Sequence, residues 1–339
     1  SARWVARSTS CSTIGRGERR PRRGTILADW LDGLKLFGGM VYLVVGGDLL
    51  VRGSLGLARR AAIPPLIVGL TVVALGTSAP ELVISLHSAF SGFSGISIGN
   101  VVGSNIANVL VVLGVPALIH PARAESAIGR QASFMFGISL VFALLCLLGP
   151  LGLLHGGLLV GLLVTGMVLT ARGGVAMPGI DLEEAEVEFE RVLGLPHELP
   201  GIVLFIVAGS AALGIGADLA VEGCVAVASQ FGVSEAVIGA TLVAFGTSLP
   251  ELATTVIAAI HRSSDVAFGN VIGSNVLNIL GIMGLTALLI DVPVPASILR
   301  FDLWVMLGCA LLLWGLAQKR IAIGRRMGSA FLLAYLFYY

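Results

Sequence analysis

Residues Thr71 to Glu81 read TVVALGTSAPE, and Thr241 to Glu251 read TLVAFGTSLPE. Each copy lies inside a long apolar run and closes on proline then glutamate, one residue that interrupts a helix and one that ionises. The offset of 170 holds without a gap from Asp48/Asp218 to Gly114/Gly284, and between Val68 and Gly114 it matches 21 of 47 positions. Chance similarity between apolar segments would match Leu, Val and Ile. The identities gather instead at Gly69, Thr71, Gly76, Thr77, Ser78, Pro80, Glu81, Gly99, Asn100, Gly103, Ser104, Asn105 and Asn108. The chain is an internal duplication, and its fold must give the two stretches related surroundings.

Composition identifies those surroundings. Apolar residues make up 56% of the 339 and charged residues 12%, with a mean hydropathy of +0.96. Too little charge is present to cover an aqueous surface. Apolar segments at about 31–51, 62–91, 96–119, 131–149, 152–171, 200–228, 235–260, 265–290, 297–317 and 321–338 predict ten membrane spans. The first copy begins in span two and the second in span seven. An odd displacement reverses direction, so the sequence predicts an all-α membrane protein whose ten transmembrane helices form two inverted five-helix repeats. That construction is typical of secondary transporters, with the site at the midplane where the repeats meet.

The expected organisation is a basic, disordered tail over 1–29, a first repeat over 30–171, an acidic loop over 172–198 and a second repeat over 199–339. The tail carries seven arginines against two acids, Glu18 and Asp29, and has no apolar core of the signal-peptide kind. The loop holds Asp181, Glu183, Glu184, Glu186, Glu188 and Glu190, read as a solvated face. Cys11, Cys146, Cys224 and Cys309 are too scattered for a disulfide framework or metal site.

Short-loop charge sets the orientation. One set of alternate loops carries Arg52, Arg59, Arg60, Arg123, Arg130, Arg172, Arg191, Arg262, Lys319, Arg320, Arg325 and Arg326; the other set has no Lys or Arg. The basic loops and the acidic loop are expected on the cytoplasmic side and both termini outside.

An ionised Glu near the bilayer centre is costly and needs a partner. Neither broken span offers a Lys or Arg, so a metal cation is the natural counter-charge to Glu81 and Glu251. Pro80 and Pro250 lack an N–H and clash with the carbonyl four residues back, which predicts backbone freed near Gly76 and Gly246. Backbone unwound at this depth is tolerated where it lines a cavity or coordinates an ion. Hydroxyls of Thr77, Ser78, Thr247 and Ser248 lie within the same turn as each carboxylate. In spans three and eight, Ser104 and Asn108, and Ser274 and Asn278, lie four apart on one helix face. Asn108 and Asn278 are read as ion contacts, and Asn100, Asn105, Asn270 and Asn275 as braces. All these donors are oxygens, which selects hard cations; calcium suits mixed carbonyl and carboxylate ligands, and sodium uses the same atoms. Asp48, able to pair with Arg52, and its equivalent Asp218 are read as helix anchors, with His261 a loop residue.

GTSAPEL with GNVVGSN and GTSLPEL with GNVIGSN resemble the motifs of the cation/calcium exchanger superfamily, specifically its bacterial and archaeal sodium/calcium exchanger-like proteins. The resemblance runs from about residue 31 to the end. It implies eight helices packed around the site with spans one and six lying across them as a sliding pair. It implies ion ligands at Glu81, Glu251, Thr77, Thr247, Ser78, Ser248, Ser104, Ser274, Asn108 and Asn278, and adds the backbone carbonyls of Ala74 and Ala244. Relatives often carry Asp at the position of Asn278, so no potassium requirement is expected. The function implied is electrogenic calcium/sodium antiport by alternating access, with calcium/proton antiport second. The chain is expected to be a monomeric transporter of the cell (inner) membrane, not an enzyme, with the bilayer, calcium and sodium as partners, no nucleic acid and no permanently bound cofactor. An intramembrane hydrolase built on two acids lacks any second catalytic feature.

Overall fold

The structure is a computed structural model that describes residues 25–61, 65–122, 126–171, 194–230 and 246–338. The expectations for the tail through residue 24, for Arg123, Arg172 and Arg191, for the acidic run and for Ala244 lie outside these residues. Among the described residues, helix lies within each of the ten predicted apolar runs, the run 235–260 being described only from residue 246. The α-helices are α1 (Thr25–Ala61), α2 (Pro65–Val68), α3 (Ala74–Thr77), α4 (Ala79–Phe90), α5 (Ser94–Ala107), α6 (Gly114–Ile119) and α7 (Ser126–Leu148). They continue with α8 (Leu153–Ala171), α9 (Leu199–Gln230), α10 (Leu249–Ile260), α11 (Ser264–Val276), α12 (Gly284–Leu289), α13 (Leu303–Gln318) and α14 (Arg325–Tyr338). Wider π-helical turns at Gly69–Val73, Asn108–Val112, Leu277–Met283 and Ile298–Asp302 join or open them.

Among the described residues, six helices are long and apolar enough to cross a bilayer, or seven if the bent pair Gly69–Thr77 and Ala79–Phe90 counts as one span. Their burial separates centre from periphery. The spans Ser94–Ile119 and Ser264–Leu289, one from each repeat, are 78% buried, whereas Leu199–Gly223 is 28% buried. Polar side chains gather inside and large apolar ones, such as Phe37, Leu148, Leu154 and Phe337, stand exposed. That inversion of an aqueous protein is what a hydrocarbon solvent demands. Cys146 and Cys309 are free thiols buried in the apolar core; the Cys11 and Cys224 side chains are outside the described set.

α1 and α9, which hold predicted spans one and six, lie along one another with backbones in contact. A Cβ placed on Gly39 would come within 2.5 Å of Ala220 N, on Gly209 within 2.6 Å of Leu50 N, and on Gly223 within 2.6 Å of Leu36 N. Glycine is required there because any side chain would force two main chains apart.

A pseudo-two-fold is visible in backbone pairing. Ala122 and Ile323 exchange hydrogen bonds of 3.1 and 2.8 Å, and Leu151 and Val292 exchange bonds of 2.9 and 2.8 Å. Ala122 and Val292 are equivalent by the repeat offset. One bridge precedes α7 and the other follows it, so the pairs sit at opposite ends of that helix. The same axis passes between α5 and α11, whose asparagines pair in reverse order along the two chains.

Candidate functional site

Each repeat breaks at a serine. α3 ends at Thr77, Ser78 adopts φ −83°, ψ 7°, and α4 departs at 53° to the preceding segment. Ser248 repeats the turn at φ −87°, ψ 5° before α10. The breaks fall beside Gly76 and Gly246, where the sequence expects the backbone to be freed, and the structure shows where each proline sits. Pro80 and Pro250 stand in the first turn of a new helix, where the absent N–H costs nothing. The break thus precedes the proline, and Ser78 N still bonds the Ala74 carbonyl at 3.0 Å. Glu81 and Glu251 fall in the first turns of α4 and α10, where the positive end of the helix dipole favours an anion.

Asn108 opens the π-helical turn Asn108–Val112, and Asn278 is second in Leu277–Met283. Ser104 and Ser274 lie one turn earlier on α5 and α11. α4 packs against the π turn of Asn278, and α10 against that of Asn108, so each glutamate helix packs on the turn that carries the other repeat's asparagine. Ala74, Thr77, Ser78, Glu81, Ser104, Asn108, Thr247, Ser248, Glu251, Ser274 and Asn278 are all buried. The structure brings these elements together between the repeats; Ala244 lies outside the described residues.

Hydrogen bonds divide the polar groups into two sets. One set is satisfied and holds the frame. Asn270 donates to the Glu251 carbonyl (3.3 Å), Thr254 Oγ1 (3.2 Å) and Thr255 Oγ1 (3.0 Å), and Asn100 donates to Ser85 Oγ at 3.0 Å and the Glu81 carbonyl at 3.4 Å. Thr77 Oγ1 lies 3.3 Å from both the Ala74 carbonyl and Asn270 Oδ1. Asn108 Nδ2 donates to Asn275 Oδ1 and Asn278 Nδ2 to Asn105 Oδ1, each at 3.0 Å. Asn100, Asn105, Asn270 and Asn275 are braces, as the sequence suggests.

The other set is buried with no hydrogen-bond partner among the described residues. It comprises Glu81 Oε2, Glu251 Oε2, Ser104 Oγ, Ser274 Oγ, Asn108 Oδ1, Asn278 Oδ1 and Ser248 Oγ. These are oxygens of residues singled out by the repeat, in two-fold pairs except that Ser78 instead donates to Glu251 Oε1 at 3.0 Å. Isolated buried oxygens cost free energy of about 1–3 kcal/mol each, so a concentration of them marks a place built to face something electropositive. Among the described residues no ion pair reaches either glutamate, and no group of three or more His, Cys, Asp and Glu occurs. The donors are two carboxylates with amide and hydroxyl oxygens, a hard set.

His261 lies in the turn after α10, as expected of a loop residue, at the C-cap of that helix, and makes a contact the sequence did not show: its Nε2 lies 2.9 Å from Asp48 Oδ1, while Arg52 Nε lies 2.8 Å from Asp48 Oδ2 as expected. Asp48 therefore ties α1 to the half-helix that carries Glu251 in its first turn. On α9 the equivalent of Arg52 is Glu222, which pairs with Lys35 at 3.0 Å.

Comparison with known proteins gives consistent matches. The family described as sodium/calcium exchanger protein matches residues 34–171 and 201–339. A putative antiporter CaxA of Alkalimonas amylolytica is 36% identical over 304 residues, covering 88% of this chain and 95% of that protein. The sodium/calcium exchanger MaX1 of Methanosarcina acetivorans is 34% identical, covering 83% and 89%. The inner membrane protein YrbG of Escherichia coli is 32% identical, covering 84% and 88%. The solved structure of the sodium-calcium exchanger NCX_Mj soaked with zero Na⁺ and Ca²⁺ superposes with a TM-score of 0.77 at 31% identity, over 91% of this chain and 97% of that one.

Proposed function

The chain belongs to the sodium/calcium exchanger protein family, and from that premise we propose that it is a calcium/sodium antiporter working by alternating access. The observation that carries the reading is the two-fold set of buried oxygens without partners, two of them on carboxylates. Burying two carboxylates without a protein cation is costly, and a bound cation from the transport pathway offsets that cost.

In this reading Glu81 and Glu251 bind calcium from opposite repeats. Asn108, Asn278, Ser104, Ser274 and Ser248 supply neutral oxygens, with Ser78, Thr77, Thr247 and the carbonyls of Ala74 and Ala244 completing the set. The Ala74 carbonyl already accepts from Ser78 N and lies near Thr77 Oγ1, so its recruitment turns the Thr77 hydroxyl toward Asn270. Sodium competes for the same oxygens. Occupancy by either ion neutralises the carboxylates, and the charged empty site crosses reluctantly, which couples the two fluxes. Relatives named as a sodium/calcium exchanger and as soaked with Na⁺ and Sr²⁺ support this choice of ions.

We place the arginine-bearing short loops on the cytoplasmic side of the cell (inner) membrane and both termini outside, with a monomer as the working unit. The test is calcium uptake into proteoliposomes under imposed gradients. A sodium gradient should drive uptake, and Glu81→Gln and Glu251→Gln should each abolish it. Uptake that follows a pH gradient with no sodium present would assign proton coupling to the same carboxylates instead.

A further inference from the structure

Two chains of amides run from peripheral helices to the centre. Along the first, Asn275 Nδ2 donates to Met135 Sδ on α7 at 3.5 Å, and Asn108 Nδ2 donates to Asn275 Oδ1 at 3.0 Å. Asn108 Oδ1 is then left buried and without a partner among the described residues. The second mirrors it: Asn105 Nδ2 reaches Met306 Sδ on α13 at 3.8 Å, Asn278 Nδ2 donates to Asn105 Oδ1 at 3.0 Å, and Asn278 Oδ1 is left over. Met135 and Met306 are both buried.

A primary amide presents an oxygen on one side and an N–H2 on the other, and its partners decide which way round it sits. Two hydrogen-bonded amides have two polarities, with all oxygens toward the centre or all N–H2 groups toward it. The difference matters at the inner end, where a cation is attracted by an amide oxygen and repelled by an N–H2. A thioether accepts hydrogen bonds and cannot donate. Reversal of the chain would set an asparagine oxygen against a sulfur lone pair with no hydrogen between them. The methionine at the outer end therefore fixes the sense of every link.

We propose that Met135 and Met306 are positioning residues, each holding an asparagine pair so that the oxygen of Asn108 or Asn278 faces the transported cation. The inference rests on the reading of Asn108 and Asn278 as ion ligands. The two chains are not equally dependent on sulfur. Asn105 Nδ2 also has the Asn275 carbonyl at 3.5 Å, whereas among the described residues Asn275 Nδ2 has Met135 alone. Loss of Met135 is the more damaging.

The experiment measures equilibrium binding of calcium alone to the purified full chain. Met135→Leu conserves volume and removes the acceptor, a class of change that cores tolerate. It should weaken binding about ten-fold, the low end for loss of a group supporting a metal ligand, and Met306→Leu should weaken it less. Asn108→Asp supplies the decisive background. A carboxylate there can only accept, so Asn275 turns its N–H2 inward and its oxygen onto Met135; leucine relieves that clash. Met135→Leu should therefore weaken calcium binding in the wild-type chain and not in Asn108→Asp. Equal losses in both backgrounds, or no loss in the wild type, would overturn the proposal. If Met135→Leu is not recovered folded, Met306→Leu with Asn278→Asp puts the same question to the mirror chain. Undiminished calcium binding in both Glu81→Gln and Glu251→Gln would instead remove the ligand reading itself, whatever the methionine variants do.

Discussion

Ser78 of the first repeat donates its hydroxyl to the Glu251 carboxylate of the second at 3.0 Å, while its equivalent Ser248 has no hydrogen-bond partner among the described residues. The two halves of the site are thus matched in residues but not in bonding. Ser78→Ala deletes a bond to a buried carboxylate, a loss of about 1.5–3 kcal/mol. Ser248→Ala deletes a buried hydroxyl that gains nothing from its surroundings. With calcium chelated, thermal melting should fall for Ser78→Ala and hold or rise for Ser248→Ala. With calcium saturating, both variants should lose part of the stabilisation that the ion confers on the wild type, because both hydroxyls are proposed to face it.

The backbone contact of α1 with α9 makes a second prediction. A Cβ on Gly216 would stand 2.8 Å from Leu43 N and 3.0 Å from the Gly39 carbonyl, atoms that cannot turn aside, whereas a Cβ on Gly38 meets nothing within 4 Å. Gly216→Ala should cost about 1–3 kcal/mol by overpacking, and Gly38→Ala should be neutral within about 0.5 kcal/mol. If the pair also slides during transport, Gly216→Ala should slow calcium flux more than it weakens calcium binding. Flux and equilibrium binding measured on the same preparation separate these effects.

The frame and the outline of the site were legible because membrane interiors tolerate few polar residues. Identities such as Glu81/Glu251 and Asn108/Asn278 therefore stand out from an apolar background, and the span count between them gives their inversion. The braces were half legible. Asn105 and Asn275 belong to the repeat, but their pairing with Asn278 and Asn108 depends on how α5 and α11 cross, which no local pattern encodes. The methionines carried no signal at all. Met135 and Met306 are 171 apart, one residue out of step with the repeat, and a methionine in an apolar helix reads as filling. The π-helical turns that deliver Asn108 and Asn278 were also invisible, because one extra residue in a turn leaves the apolar pattern of a fully buried helix unchanged.

His261 shows the same limit at the edge of the molecule, and its contact is testable. Its equivalent in the first repeat is Ser91, so the bond to Asp48 has no ionisable counterpart, and Asp218 is exposed where Asp48 is half-buried. Asp48 accepts from Arg52 on its own helix and faces His261 at the C-cap of α10, linking α1 to the half-helix that carries Glu251 in its first turn. Asp48→Asn keeps the shape and removes the charge, which at this exposure should cost about 1 kcal/mol. Asp218→Asn, with an exposed side chain, should stay within about 0.5 kcal/mol of the wild type. A double-mutant cycle between Asp48→Asn and His261→Gln, read by thermal or denaturant unfolding in one detergent, isolates the link from the Arg52 pair. A coupling energy near zero would mean that the two side chains are neighbours without being partners, and that packing, not this contact, holds α1 at this end.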